Sequence, residues 1–286
     1  MPADVGRVDW RTTEVQGRPA SYGRVGEGPP LLFLHGWGLG YRSYRRALVG
    51  LAEQGRTVYA PAMPGFGGTS RLPDDACTIA GYADWVLAFA EAVEVETPMT
   101  LLGHSFGGGV AIRAAYQGLE RVHQLILVNS IGGSAWGKAG AVRSLTERPL
   151  WDWGLHLQRD LLPLRQATRV LPVILEDLGP NLVRNARTVW RVGKVARHCT
   201  LTKELESLKA SRLPIIILWG RSDQVIPERS FRELCAAAGV GSADAMCVTV
   251  EGYHTWLLAD PKGFAEVMTN VVEVADHVAA LEEDVS

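Results

Sequence analysis

The sequence predicts an α/β protein in which helices cover both faces of a mostly parallel, twisted sheet. Short apolar runs end in turn residues, and stretches with apolar residues at helical spacing follow most of them. Strands that alternate with helices in this way are typical of parallel sheets. The alternation stops after residue 130 and resumes at residue 213, which indicates one segment inserted into a single core domain.

The elements follow in order from an opening antiparallel hairpin around RPASYGRV. Strands are predicted at LLFLH (31–35), RTVYA (56–60), MTLLGH (99–104), VHQLILVNS (122–130), LPIIILWG (213–220) and MCVTV (246–250). Helices are predicted within YRSYRRALVGLAEQG, TIAGYADWVLAFAEAVEV, FGGGVAIRAAYQG and PERSFRELCAAAG. The last helix is expected to begin at Pro261, because Asp260 is a good capping residue and proline suits a first turn.

The segment 131–212 differs from the rest of the chain in pattern and charge. It gives helical pieces broken by glycine and proline, without a clear strand, and carries 14 basic against 7 acidic residues in a chain of net charge -2. We interpret it as a helical cap inserted between core parts 1–130 and 213–286. Its tryptophans are expected either to line a pocket or to pack the cap on the core: Trp136, Trp151, Trp153 and Trp190.

The bulk composition excludes several classes of protein. A net charge of -2 argues against general nucleic-acid binding, and no apolar run is long enough to cross a membrane. The amino terminus has no apolar stretch suited to secretion. Cys77, Cys199, Cys235 and Cys247 show no metal-ligand spacing, so we expect reduced, buried thiols, no metal or cofactor, and a cytoplasmic protein.

The stretch GHSFGGG (103–109) places a serine between a predicted strand and a predicted helix. Gly103, Ser105 and Gly107 form G-x-S-x-G, which exposes the serine hydroxyl on a sharp turn at the carboxyl edge of a sheet. A phosphate-binding loop fits less well, because no lysine follows the glycines and the dinucleotide fingerprint is absent. Ser105 is therefore a candidate nucleophile.

A serine nucleophile needs a base and a group that orients the base. His254 follows the strand MCVTV and a short turn, and Asp223 follows the strand LPIIILWG, so both should lie at the same sheet edge as Ser105. An Asx turn or a helix cap is the alternative role for Asp223. Asp260 is better explained as a helix cap, and Asn129, at another strand end, cannot stabilise an imidazolium as a carboxylate can.

The chain order Ser105, Asp223, His254 resembles that of the α/β-hydrolase superfamily, over roughly residues 8–280. HGWG after LLFLH is similar to the family's oxyanion loop. The resemblance implies that the backbone N–H groups of Trp37 and Phe106 form the oxyanion hole. It also implies a helical cap after the strand at 122–130.

The same resemblance gives His35 and His104 framing roles beside the site. Trp37, His104 and Trp256 are candidate substrate-pocket residues. Where Ala62 stands, the family commonly has an aspartate; this departure affects hydrogen bonding in a loop and leaves the three catalytic candidates unchanged.

The residues favour hydrolysis of a small or medium hydrophobic carboxylic ester through an acyl-enzyme on Ser105. Epoxide hydrolases and haloalkane dehalogenases resemble this chain less, because they have aspartate at the nucleophile position. A carbon–carbon bond hydrolase acting on a vinylogous diketone is the alternative enzyme, since such enzymes share the triad, the cap and GGG after the serine. A ligand-binding protein with little turnover is the alternative of a different class.

Overall fold

A computed structural model of the protein describes residues 6–136, 143–144, 164–239 and 245–283. Eight of its strands form one sheet in the order β1-β2-β4-β3-β5-β6-β9-β10. The strands are β1 (Asp9–Val15), β2 (Arg18–Val25), β3 (Pro30–Leu34), β4 (Thr57–Pro61), β5 (Met99–His104), β6 (Val122–Val128), β7 (Ala135–Trp136), β8 (Arg143–Ser144), β9 (Ile215–Gly220) and β10 (Ala245–Val250). The predicted opening hairpin is confirmed, because β1 and β2 pair antiparallel.

The sheet is parallel from β4 to β10, and only β2 runs against its neighbours. The predicted fold class is therefore confirmed. Parallel strands end at one edge of a sheet, so the loops that follow β3, β5, β6, β9 and β10 all leave from that edge. This edge carries the candidate site.

Helices lie on both faces of the sheet. They are α1 (Arg45–Ala52), α2 (Ile79–Ala92), α3 (Phe106–Gln117), α4 (Leu164–Arg197), α5 (Thr202–Ala210), α6 (Glu228–Ala238), α7 (Trp256–Ala259) and α8 (Pro261–Glu283), with 3-10 turns at Tyr41–Tyr44 and Leu119–Arg121. Alternate residues of each buried strand enter two separate apolar clusters: Leu101 joins α2, α3, α5 and α6, while Leu102 joins α1 and α8. Burial on both faces explains the continuous apolar runs in the sequence.

The last helix begins as expected. Asp260 Oδ1 accepts a hydrogen bond from Gly263 N at 3.1 Å, and Pro261 is the first residue of α8. Asp260 is thus a helix cap.

The chain between β6 and β9 is largely helical where the structure describes it. The sequence shows no clear strand there, whereas in the structure β7 and β8 pair as a two-residue antiparallel ladder. Strands this short carry too little pattern to be detected in a sequence. Helix α5 packs on α3 and α6 through Leu205 and Leu208, both buried. Trp151 and Trp153 lie outside the described residues; Trp190 is 56% exposed.

The prediction of four reduced thiols was wrong for two of them. Cys235 on α6 and Cys247 on β10 form a disulfide, whereas Cys77 and Cys199 are not bonded to another cysteine. The pairing depends on α6 packing against β10, which the spacing of two cysteines along the chain does not reveal.

Candidate active site

Ser105 lies on the sharp turn between β5 and α3. Its φ of 55° and ψ of -117° are unusual for a residue with a side chain, a form of local strain that clusters at functional sites. The flanking glycines make the turn possible. A Cβ on Gly103 would lie 2.3 Å from the carbonyl oxygen of Gly107, and one on Gly107 would lie 2.3 Å from that of Leu34.

Three side chains from separate loops form one hydrogen-bonded chain at the sheet edge. Ser105 Oγ lies 2.9 Å from His254 Nε2, and His254 Nδ1 lies 2.8 Å from Asp223 Oδ2. All three residues are buried. In this geometry the imidazole can accept the serine proton while its other nitrogen donates to the carboxylate.

The loop after β9 folds around its own aspartate. Asp223 Oδ1 accepts hydrogen bonds from the backbone N–H groups of Val225 and Ile226, each at 2.8 Å. The Asx turn that was the alternative role for Asp223 is therefore present, and it orients the carboxylate toward His254. The two roles coexist because they use different oxygens.

Asn129 supports the same carboxylate from the end of β6. Its Nδ2 donates to Asp223 Oδ2 at 2.5 Å, and its Oδ1 accepts from Trp256 Nε1 at 2.9 Å. Asn129 is fully buried with φ at 47°, a conformation that asparagine tolerates better than most residues. The sequence indicated only that Asn129 ends a strand; its role depends on side chains more than 90 residues away.

Trp256 occupies a different position from the one expected. Its indole contacts Asn129 and packs edge-on against Phe264, with ring centroids 5.4 Å apart. It is not among the described residues that line the cavity above Ser105. Trp256 lies two residues after His254 in the sequence, but in the short helix α7 its indole points to Asn129 and Phe264 instead.

Trp37 and Phe106 supply the two candidate oxyanion donors. Phe106 is the first residue of α3, where backbone N–H groups lack partners within the helix and the helix dipole favours negative charge. Trp37 follows β3, and its indole Nε1 donates to the carbonyl of Val189 on α4 at 2.7 Å. Both residues line the same cavity as Ser105 and His254.

A series of buried hydrogen bonds connects the loop after β3 to the backbone of His254, the candidate base. Gly36 N donates to the Tyr44 hydroxyl at 3.1 Å, Tyr44 Oη lies 2.9 Å from His104 Nδ1, and His104 Nε2 lies 3.0 Å from the His254 carbonyl. Burial lowers the pKa of His104 well below its ordinary value, so the ring is neutral. Neutral His104 can accept from Tyr44 and donate to the carbonyl of His254. Tyr44 had no signal in the sequence.

His35 forms hydrogen bonds with the backbone of its own loop and of the loop after β4. Its Nδ1 lies 2.9 Å from the Gly36 carbonyl, and its Nε2 accepts from Met63 N at 2.9 Å. Burial lowers the pKa of His35 to about 4, which keeps the ring neutral. The framing role expected for His35 is thus a set of backbone contacts.

The cavity above Ser105 is small and mostly apolar. It measures about 40 Å³, which is enough for a few water molecules. The described apolar residues that line it are Trp37, Leu39, Phe106, Ile131, Ala196 and Val225. His104 also lines this cavity, and its role as a substrate-pocket residue stays a prediction. Across the described residues, no group of three or more histidine, cysteine or acidic side chains could hold a metal ion.

Parallel strands, a serine on a strained turn between β5 and α3, and a histidine and an aspartate in line with it on later loops are the features of an α/β-fold hydrolase. The chain belongs to the alpha/beta hydrolase family, whose model matches residues 31–267.

Among its relatives, a 2-hydroxymuconate semialdehyde hydrolase from Pseudomonas sp. (strain CF600) is 30% identical over 71% of this chain and 73% of its own length. The AB hydrolase superfamily protein YisY of Bacillus subtilis (strain 168) is 29% identical over 73% and 80%. An esterase from Exiguobacterium antarcticum has a similar fold, with a TM-score of 0.73 and 17% identity over 92% of this chain and 98% of that one.

Proposed function

We propose that the protein is a serine hydrolase that cleaves a small or medium hydrophobic carboxylic ester. The observation that carries the proposal is the hydrogen-bonded chain from Ser105 through His254 to Asp223. His254 takes the hydroxyl proton as Ser105 Oγ attacks the ester carbonyl carbon, and Asp223 stabilises the imidazolium. The imidazolium then protonates the departing alkoxide, and water activated by His254 releases the acid from the acyl-enzyme.

The oxyanion hole is assigned to the backbone N–H groups of Trp37 and Phe106. Each donor is expected to stabilise the tetrahedral intermediate by about 2.7–4 kcal/mol, the range for donors of this type. The small apolar cavity favours a compact, uncharged group beside Ser105. The segment 131–212, which we propose as the cap, supplies Ala196 and Ile131 to this cavity.

Carbon–carbon bond hydrolysis is the second candidate. It is favoured by the similarity to the 2-hydroxymuconate semialdehyde hydrolase, which covers most of both chains. The same base and oxyanion donors would then act on a ketone carbonyl. A ligand-binding protein with little turnover is the third candidate, because family membership does not fix activity.

Labelling with a fluorophosphonate probe tests the nucleophile. We expect the wild-type protein to be labelled at Ser105 and the Ser105→Ala variant to remain unlabelled. Absence of labelling in the wild-type protein would refute nucleophilic catalysis by Ser105.

A substrate screen separates the candidates. p-Nitrophenyl esters of increasing acyl length and a vinylogous diketone are offered to the wild-type protein and to Ser105→Ala. Turnover of short esters supports the first proposal, and turnover of the diketone alone supports the second. Labelling without turnover of either substrate favours ligand binding.

A further inference from the structure

One row of residues on α4 contacts the loops at the sheet edge. Positions four apart share a helix face, and here they run from residue 173 to residue 189 across a kink at Asn185, whose φ of -138° and ψ of 32° are not helical. The docking row consists of Val173 (carbonyl to Ser43 Oγ, 3.3 Å), Asp177 (Oδ2 to Gly40 N, 3.0 Å, and to Ser43 N, 3.1 Å), Asn181 (Nδ2 to Gly38 O, 3.2 Å), Asn185 (Nδ2 to Gly65 O, 3.3 Å) and Val189 (carbonyl to Trp37 Nε1, 2.7 Å).

Four of these five positions contact residues 37–43, the stretch that contains the candidate oxyanion donor. The Trp37 side chain is held by Val189, and Asn181 holds the carbonyl of the next residue, Gly38. The Trp37 peptide thus lies between two contacts from α4, one on each side of the kink at Asn185. An oxyanion donor is effective only when its position is fixed before the reaction.

Asp177 makes more hydrogen bonds to residues 37–43 than any other residue of the docking row. Its Oδ2 accepts from two backbone N–H groups and from the Ser43 hydroxyl, at 2.5 Å for the hydroxyl. The donors belong to Gly40, which precedes the 3-10 turn Tyr41–Tyr44, and to Ser43 within that turn. The last residue of the turn, Tyr44, contacts Gly36 and His104. The single oxygen therefore fixes the far end of the loop that carries Trp37.

We propose that Asp177 is a positioning residue that makes assembly of the oxyanion hole depend on docking of α4. The inference rests on the proposed serine-hydrolase function. Ala196 of the same helix lines the cavity of about 40 Å³, so the position of α4 also sets the space beside Ser105. Movement of α4 would release Trp37, Gly38 and Gly40 together, and return of the helix would restore them.

Three variants test the proposal through activity. Asp177→Ala removes the acceptor, Asp177→Asn keeps an acceptor oxygen without the charge, and Glu176→Gln changes an exposed carboxylate next to it as the matched control. With short p-nitrophenyl esters, we expect Asp177→Ala to lower kcat per titrated site about 10-fold to 100-fold, with KM within about threefold. Asp177→Asn should stay within about threefold of wild type, and Glu176→Gln should match wild type.

Hydrogen exchange of residues 36–44 tests the same coupling without catalysis. Asp177→Ala should speed exchange there, and Glu176→Gln should not. If Asp177→Ala does not fold, Asn181→Ala removes a neighbouring contact and should show a smaller change in the same direction. The proposal would be overturned if Asp177→Ala left both kcat and hydrogen exchange unchanged. It would also be overturned if Asp177→Asn lowered kcat as much as Asp177→Ala does. Failure of fluorophosphonate labelling would refute the proposed function. Hydrogen exchange of residues 36–44 would still show whether Asp177 holds this loop in place.

Discussion

Gly103 contributes to the site because it has no side chain. The nearest atoms to an added Cβ are backbone atoms of Gly107, at 2.3 and 2.5 Å, which cannot swing aside. We expect Gly103→Ala to lower the free energy of unfolding by at least about 2 kcal/mol and to abolish labelling of Ser105. Urea denaturation and probe labelling measure the two effects.

Gly179 on α4 is the matched control for this substitution. Apart from its two chain neighbours, an added Cβ there meets no atom of the described residues within 4 Å. Gly179→Ala should therefore leave labelling of Ser105 intact and cost less stability than Gly103→Ala, since its one expected steric conflict is with the ring of Pro180, which follows it. Equal stability of the two variants would contradict the packing argument.

His35 makes stability depend on pH. Its pKa is about 4 in the folded protein and near 6.5 in the unfolded chain, so below pH 6.5 the unfolded state binds more protons. We expect stability to be full above about pH 6.5 and to fall toward pH 4, by about 3 kcal/mol from this residue alone. His104 acts in the same direction.

Urea denaturation of wild type and His35→Gln at several pH values measures this dependence. Glutamine keeps a donor and an acceptor but does not titrate, so the variant should lose less stability on acidification. If the free energy of unfolding changed with pH in the same way in both proteins, His35 would be excluded as a cause of the pH dependence.

At the scale of elements, the disulfide joins α6, which follows the acid loop, to β10, which leads to His254. We expect thiol titration of the unreduced, unfolded protein to find two thiols, Cys77 and Cys199, and four after reduction. Finding four without reduction would contradict the bond.

Cys235→Ser should cost about 2–3 kcal/mol of stability, the amount for a loop of this length.

Disulfide bonds are rare in reducing compartments such as the cytoplasm, so the cytoplasmic location stays a prediction. Of the helices that the structure describes, none has the length and apolar character needed to cross a membrane.

Local patterns predicted the elements that position the candidate catalytic residues. Ser105 and its glycines lie within one turn, and Asp223 and His254 each follow a strand directly, so adjacency in sequence was enough. Asn129, Tyr44 and Asp177 had no such signal, because each acts on a residue brought near only by packing of strands and helices. Trp256 was misplaced for the same reason: adjacency to His254 does not fix the direction of a side chain.

At the scale of the whole molecule, the parallel sheet brings distant parts of the chain to one edge. Strand β5 lies between β3 and β6, and β9 and β10 follow β6, so the five loops of the candidate site are neighbours in space. The alternation of strands and helices predicted this edge. The order of the strands depends on pairing over long separations, which a single sequence does not display.

The docking row has a consequence for engineering this protein. Replacing the stretch between β6 and β9 with that of a relative is an obvious way to change substrate preference, since the candidate nucleophile, base and acid all lie outside it. Here the exchange would also remove the partners of residues 37–43. A functional chimera therefore needs the β3 loop and α4 transplanted as one matched pair.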